Sequence, residues 1–390
     1  MYPRLYKSLK NNSFFVFGPR GSGKTTWLAQ EFPTATTIDL LHDDTQRLLR
    51  ASPSRLEGLI PPGQKTIVID EVQKIPALLD EVHRLIEKRK LRFVLTGSSA
   101  RKLKRGAANL LAGRALETHF YPLSIWELGK DFDLNKSLSR GLLPAAYQHE
   151  DPKRHLSAYV NTYIKEEIYA EGILRNLDNF VRFLEAISFS QAQVLSYAAL
   201  ARDCGVDPKV AASYVQVLED LLLGKTLPVF SKKAKRRMTS HPKFFLFDTG
   251  VWKTLRPKGP LDTDADLEGA GLETLFFHHH QVLGEFTGWD QKLSFWRTQS
   301  KLEVDFVSYG SCGLFAFECK RSSMVRSEDL TSLKAFQEDY PSAKCFVLYG
   351  GTDERFVDGV QYYPFQKGLE KLPFLLGVSL DPKINSAATS

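Results

Sequence analysis

Eight residues near the start of the chain, Gly18-Pro19-Arg20-Gly21-Ser22-Gly23-Lys24-Thr25, fit the spacing GxxxxGK[ST]. Such a loop cradles phosphate: its glycines let backbone N–H groups turn inward, and a helix starting at its end adds a positive dipole. The spacing assigns Lys24 to the β- and γ-phosphates and the Thr25 hydroxyl to Mg²⁺, with Thr26 closing the turn. Downstream, "TIVIDEVQ" is an apolar strand ending in Asp70-Glu71. Asp70 is the type to hold Mg²⁺ through water, and Glu71 the type to orient and deprotonate a water attacking the γ-phosphate. An acid beside the metal-binding aspartate favours ATP hydrolysis over a GTPase switch. The strand "RFVLTGSS" ends in Thr96, Ser98 and Ser99, of which Ser98 is the candidate γ-phosphate sensor. Arg114, before a fifth strand, is the candidate cation for transition-state charge, in its own chain or on a neighbouring subunit. Its other reading is pairing with a surface carboxylate.

A second set of chemical residues lies near the other end. "LEVDFVSYGSCGLFAFECKRSS" puts Asp305 on one strand and Glu318, Cys319 and Lys320 at the end of the next. This D…ExK spacing belongs to the restriction-endonuclease-like fold, in which the two acids converge on Mg²⁺ and the lysine orients water or stabilises phosphorus oxygens. Glu273, on a helix upstream, is placed to supply a further carboxylate, and Arg297 lies close in sequence. Such a domain serves either as a metal-dependent nuclease or as a nucleic-acid-binding or structural unit. His278, His279 and His280 are consecutive on that helix, and at 100° per residue they cannot all face one metal; surface and packing roles are expected.

The elements that must position these residues follow from the apolar pattern. Short apolar runs at 14–17, 36–40, 66–70, 92–97 and 116–121 alternate with helical periodicity, the signature of a parallel sheet with helical crossovers. From about 150 to 225 the pattern is helical, with "YAALARDC", a Gly205 turn, and Asp207-Pro208 opening another helix. Residues 228–248 read as a hairpin with a charged middle carrying Lys232, Lys233, Lys235, Arg236 and Arg237. This suggests a winged helix whose wing touches DNA phosphates, although the helix before it carries Glu219-Asp220 and is poor in cations. The basic cluster at 101–105 is a second candidate DNA contact or a solvated loop.

Composition narrows the classes. The chain of 390 residues has 43% hydrophobic and 25% charged residues, suited to several folded domains. No apolar run is long enough for a membrane span, and the N-terminus lacks a signal-peptide core, so a cytoplasmic protein without membrane partners is expected. The four cysteines form no CxxC pair and read as reduced thiols. A net charge of +7 permits polyanion contact without requiring it. The expected organisation is a P-loop ATPase core at 1–130, a helical lid or connector at 131–178 and a winged helix at 179–255. An endonuclease-like domain at 265–376 and a tail at 377–390 follow.

"GPRGSGKTT", "IDEVQKIP", "TGSSARKL", "LAGRAL…YPLSIWEL", "YIKEEI", "FDTG" and "EVDF…FECK" occur in that order. Together they resemble a large family of bacterial and archaeal AAA-type ATPases with a C-terminal domain of largely unknown function. The resemblance implies an α/β fold: a RecA/AAA-like parallel sheet of the additional-strand class, then a winged-helix region, then an α/β endonuclease-like domain. It also implies that the sensor strand sits between the P-loop strand and the Asp70 strand, and Gln73 matches the family pattern. Two functions stand open. One is a DNA-processing ATPase that remodels or translocates DNA, branched DNA included, with optional Mg²⁺-dependent cleavage. The other is an ATP-dependent switch acting on a protein partner, its nuclease-like residues inactive. A homo-oligomer is required if Arg114 acts between subunits.

Overall fold

The structure is a computed structural model describing residues 2–98, 101, 103, 111, 114–164, 168, 177–259, 262–326 and 330–378. Ser99, Lys102, Lys104 and Arg105 of the basic cluster, residues 165–167 of "YIKEEI", and the tail from 379 lie outside the described residues.

The N-terminal unit is α/β. Its strands are β1 (Ser13–Phe17), β2 (Thr36–Asp39), β3 (Thr66–Asp70), β4 (Arg92–Gly97) and β5 (Ala115–His119), all parallel in the order β2-β3-β4-β1-β5. The sensor strand β4 therefore lies between β1 and β3, as the resemblance implies. Each β1 residue from Ser13 to Phe17 is buried, because helices cover both faces of a parallel sheet. Its side chains alternate: Phe14 and Val16 join Trp27, Val68 and Phe120 on one face, while Phe15 and Phe17 join Ile69, Phe93 and Leu95 on the other. All five strands point their C-terminal ends at one edge, which gathers the phosphate loop, Asp70, Thr96 and Gly97 there.

The middle unit holds the helices Leu177–Ser188, Tyr197–Cys204 and Pro208–Asp220 and the antiparallel strands β6 (Gln193–Val194), β7 (Gly224–Leu227) and β8 (Lys243–Leu246), in the order β6-β8-β7. The expected continuous hairpin at 228–248 differs in detail: β7 ends before Pro228 and β8 begins after Pro242. Prolines lack the N–H a ladder needs, so the chain between them leaves the sheet. It lies instead along the C-terminal sheet, with Phe230 N donating to Phe295 O at 2.6 Å and Thr239 N to Arg297 O at 3.0 Å.

The C-terminal unit is a mixed six-stranded sheet, β9 (Lys292–Arg297), β10 (Glu303–Gly310), β11 (Gly313–Lys320), β12 (Lys344–Tyr349), β13 (Arg355–Val357) and β14 (Val360–Pro364), ordered β13-β14-β12-β11-β10-β9. The helix Asp264–Thr287 packs on it through Phe276, whose ring lies 4.6 Å from Phe306 and 4.9 Å from Phe317. The same core takes in Leu123, Ile125, Trp126 and Tyr147, so the chain leaving β5 is built into the C-terminal unit. Asp248 of "FDTG" ties the layers further, accepting from Leu142 N at 2.6 Å and from Gly250 N at 2.9 Å.

His278, His279 and His280 are all buried, so the expectation of surface positions is corrected. At these positions the helix has Leu123 and Ile125 against one face and Ser308 against another. Ile125 N donates to His279 Nε2 at 2.9 Å, leaving Nδ1 to donate to Leu275 O at 2.7 Å, a neutral tautomer. His278 Nε2 meets Leu123 O at 2.9 Å, and His280 Nε2 meets Ser308 Oγ at 3.0 Å. Burial pushes their pKa values down to about 3, 4 and 3 for His278, His279 and His280 respectively. These are bases with depressed folded-state values. Their contribution to stability is complete above about pH 6.5 and lost as pH falls toward 4, at roughly 1.4 kcal/mol per pH unit for each histidine. Imidazole ¹⁵N shifts should therefore show all three neutral at pH 5; charged resonances from these residues in the folded protein at that pH would contradict the burial argument.

Candidate functional site

The phosphate loop runs from the end of β1 into the helix Lys24–Glu31. Gly18 packs so tightly on the Phe120 carbonyl that a Cβ would collide, and Gly23 has φ 97°, the left-handed region where side chains are strained. Lys24 Nζ donates to Gly18 O at 2.7 Å and Pro19 O at 3.1 Å, inside the loop itself. Thr25 Oγ1 donates to Asp70 Oδ2 at 2.9 Å, and Thr96 donates to the other Asp70 oxygen. Hydroxyl and carboxylate are hard oxygen donors of the kind Mg²⁺ prefers, so Thr25 and Asp70 fit that ion.

Glu71 adopts φ 60°, ψ 43°, uncommon for a residue with a Cβ. The conformation turns its carboxylate to the Gln73 amide, and Gln73 Nε2 also reaches Ser98 Oγ at 3.1 Å. Glu71, Gln73 and Ser98 thus form one chain at the end of β3 and β4. Gln73 had only its place in the family pattern to mark it; its bridging role depends on a contact across strands. Arg114 is not part of this site. Ser13 pairs with Ala115 and Phe17 with His119, so Arg114 stands at the opposite edge of the sheet, about 16 Å from the loop. It pairs with Glu87. The expectation of a transition-state cation within the chain is corrected; only a neighbouring copy would be within its reach.

Two contacts at the loop had no sequence signal. Arg4 is buried, with Nη1 donating to Ser22 O at 2.6 Å and Nε to Glu127 Oε1 at 2.8 Å, so it pins the loop to the segment after β5. Tyr159, which opens a π-helical turn Tyr159–Ile164, donates its hydroxyl to Arg20 O at 2.9 Å, and the Arg20 guanidinium lies 4.3 Å from the Tyr163 ring centre. Leu143 and Pro144 pack beside Gly21 and Gly23. The middle of the chain therefore rests on the phosphate loop. Arg101, after the sensor strand, also pairs with Asp220 at the end of the helix Pro208–Asp220.

In the C-terminal unit Asp305, Glu318 and Lys320 do converge. A register shift between Val304 and Val307 turns Asp305 out of the β9 ladder, and Cys319 N donates to Asp305 Oδ2 at 2.9 Å. Glu318 is buried, and Lys320 Nζ lies 3.0 Å from its Oε2. Burial, then the Asp305 charge, raises the Glu318 pKa well above the carboxylate range. The residue the sequence did not mark is Lys243, the first of β8. Its ammonium, fully enclosed, lies 2.6 Å from Glu303, 3.1 Å from Glu273 and 3.6 Å from Asp305. Burial disfavours its charge, but these three carboxylates more than offset that and raise its pKa. Arg297 completes the cluster through Glu303 at 2.7 Å. The acids thus already hold a cation. Here Asp305 is held by Lys243 and Glu318 by Lys320, and among the described residues no group of three His, Cys, Asp or Glu is disposed to hold a metal. A lone lysine opening the apolar run "KFFLF" was the one available sign.

The expected wing is likewise not a free hairpin. Arg236 pairs with Glu338 and Asp339 at 3.0 Å each, and Lys235 Nζ donates to Glu338 O at 3.2 Å. Lys232 lies 4.2 Å from the Tyr309 ring centre. Lys232, Lys233, Lys235 and Arg237 remain exposed to solvent.

Parts of the chain are similar to known family models and proteins. Residues 10–129 match the family model of an AAA domain; 131–262 and 268–367 match two models described as domains of unknown function. Uncharacterized proteins of Mycobacterium bovis and Mycobacterium tuberculosis are each 29% identical over 356 residues, 87% of this chain and 76% of theirs. An uncharacterized protein of Methanocaldococcus jannaschii is 26% identical, covering 78% of this chain and 74% of its own. A solved structure of a signal transduction ATPase with numerous domains from Pyrococcus horikoshii is 14% identical with TM-score 0.20, over 70% of this chain and 46% of that one. A protein from Vibrio cholerae is 9% identical with TM-score 0.19, over 97% and 96% of the two chains. The N-terminal unit is an AAA-type P-loop ATPase domain. Among the described residues no helix is long and apolar enough to cross a membrane.

Removing the Lys243 charge leaves Glu273, Glu303 and Asp305 facing one another. Lys243→Met should lower unfolding free energy by about 3–5 kcal/mol in urea titration, and adding Glu303→Gln should restore part of it. A Lys243→Met protein as stable as wild type would mean that the cluster is not held together by this ion.

Proposed function

We propose that the protein is an ATP-hydrolysing conformational switch, in which the nucleotide state alters how the middle unit rests on the phosphate loop. The observation that carries this reading is the Tyr159 hydroxyl on the Arg20 carbonyl, which joins the middle of the chain to the backbone that would enclose phosphates. Mg²⁺ held through Thr25 and Asp70 would neutralise charge on the β- and γ-phosphates. Lys24 exchanges its loop carbonyls for phosphate oxygens, and the loop amides take up the remaining charge. Glu71, oriented by Gln73, accepts a proton from the attacking water, and Ser98 at the far end of that chain reads the γ-phosphate. Loop rearrangement then strains the Tyr159 and Tyr163 contacts, and the Arg101–Asp220 pair links the sensor strand to the same unit. On this reading the endonuclease-like residues hold Lys243 and cut nothing, and the switch presents a surface to a protein partner.

Glu71→Gln should keep ATP affinity while slowing hydrolysis roughly 10²–10⁴-fold. ATP should change the pattern of limited proteolysis in the same variant. Tyr159→Phe, which removes one hydrogen bond from the resting state, should tighten ATP binding about three- to tenfold. Identical protease patterns with and without ATP would sink the switch.

A second reading, a DNA-processing ATPase that remodels or translocates duplex or branched DNA, is favoured by the exposed Lys232, Lys233, Lys235 and Arg237 on one loop. Turnover measured with linear, forked and four-way DNA at low salt separates the two. The switch expects no change; stimulation by one DNA shape favours the motor. Mg²⁺-dependent nicking that disappears in Lys320→Ala would restore the nuclease.

A further inference from the structure

A cavity of about 660 Å³ lies where the three units meet. Its walls include Gly18, Pro19 and Phe120 from the ATPase domain, the segment 224–228 from the middle unit, and Phe277, Trp289 and Gln291 from the C-terminal unit. That volume falls in the range of sites for small organic ligands. Most of the wall is apolar or aromatic, with the Trp289 ring 5.1 Å from His280.

Two polar features are not explained by folding alone. Gln291 is buried, only 7% exposed, yet its Nε2 donates to nothing among the described residues. A buried N–H without an acceptor is costly and marks a place where an acceptor is expected. Lys225 donates to the neutral Gln281 side chain at 2.5 Å, and no described carboxylate lies within ion-pair distance. Its side chain is exposed at the cavity mouth; partial desolvation lowers its pKa, and the charges of Glu219 and Glu285 act in the opposite sense. The wall's carboxylates are already satisfied: Glu219 by Thr226 N and Oγ1 at 2.8 and 2.6 Å, and Glu285 by His119 N at 2.9 Å. The cavity therefore offers the Lys225 ammonium and the Gln291 N–H, beside two acids that already accept hydrogen bonds.

We propose that this cavity binds a small, flat, apolar molecule bearing one anionic group, its ring system against Trp289 and Phe277 and its anion between Lys225 and Gln291. Because the walls come from all three units and begin at the phosphate loop, an occupant stabilises their present arrangement and acts as an effector of the ATPase. That consequence rests on the switch reading; binding does not.

The test uses the full chain and the dye 1-anilinonaphthalene-8-sulfonate, an aromatic anion, with N-phenyl-1-naphthylamine as its uncharged relative. Expected are saturable one-to-one binding, energy transfer from Trp289 that is lost in Trp289→Phe, and affinity at least roughly tenfold lower for Lys225→Glu and for the uncharged dye. Gln281→Trp, which fills the space, should abolish binding in a protein with unchanged thermal melting. Absence of saturable binding by wild type overturns the site. Equal affinity for both dyes, or for wild type and Lys225→Glu, overturns the anion assignment. Dye binding without any effect on turnover would leave the site standing and remove the effector role, so the two failures are distinguishable.

Discussion

The union of the middle and C-terminal units depends on one buried ammonium ion. Lys243 begins a strand of the middle unit but spends its charge inside the C-terminal one, among carboxylates from a helix and a strand that are far apart in sequence. An ion taken from water into protein costs several kcal/mol unless its partners are close and numerous, and here three acids supply that compensation. The acids need the lysine equally. Glu273 is driven up to about 8, first by burial and then by the Asp305 charge, and the Lys243 ammonium draws it back down. Neither unit can withdraw without exposing an uncompensated cluster, so the two are ionically keyed as well as packed.

The same logic of compensation governs the phosphate edge. Glu71 is held in a left-handed conformation, and Gln73 is packed against Gly97 at the sensor strand. Strain of this kind, worth on the order of 1–3 kcal/mol, persists only where the surroundings fix it, and here β3, β4 and the Gln73 amide do so. Strands carry Asp70 and Thr96, while the loop that would meet the nucleotide is steadied by Arg4 from the N-terminal segment and by Tyr159 from the turn Tyr159–Ile164.

Residues whose function is local were legible in the sequence. GPRGSGKT carries its own geometry, IVID ends where a parallel strand must end, and the sensor strand's place in the sheet came from the family resemblance. EVDF and FECK announced neighbouring strands because two apolar runs joined by a two-residue connection leave little choice. What could not be read were contacts between distant segments. Arg114 precedes the right strand, but a parallel sheet places strand starts and strand ends at opposite edges, and motif order says nothing about that distance. The basic stretch at 232–237 has the composition of a phosphate-binding wing, yet acids at 338 and 339 claim Arg236. Lys243 was hidden for the same reason: a charge in an apolar strand is explained by its partners, and they lie 30 to 62 positions away.

The turn at Tyr159–Ile164 winds with one residue more per loop of backbone than an ordinary helix needs. That surplus is slack. If it is drawn out and the segment tightens to regular α geometry, everything on one side rotates by about 100° relative to the other and advances by about 1.5 Å. Tyr159 and Tyr163 sit at opposite ends of this reel, one on a carbonyl and the other under a guanidinium, so a single unwinding step would release both at once. A movement of that size needs no hinge and no disordered linker, only the loss of one wide turn.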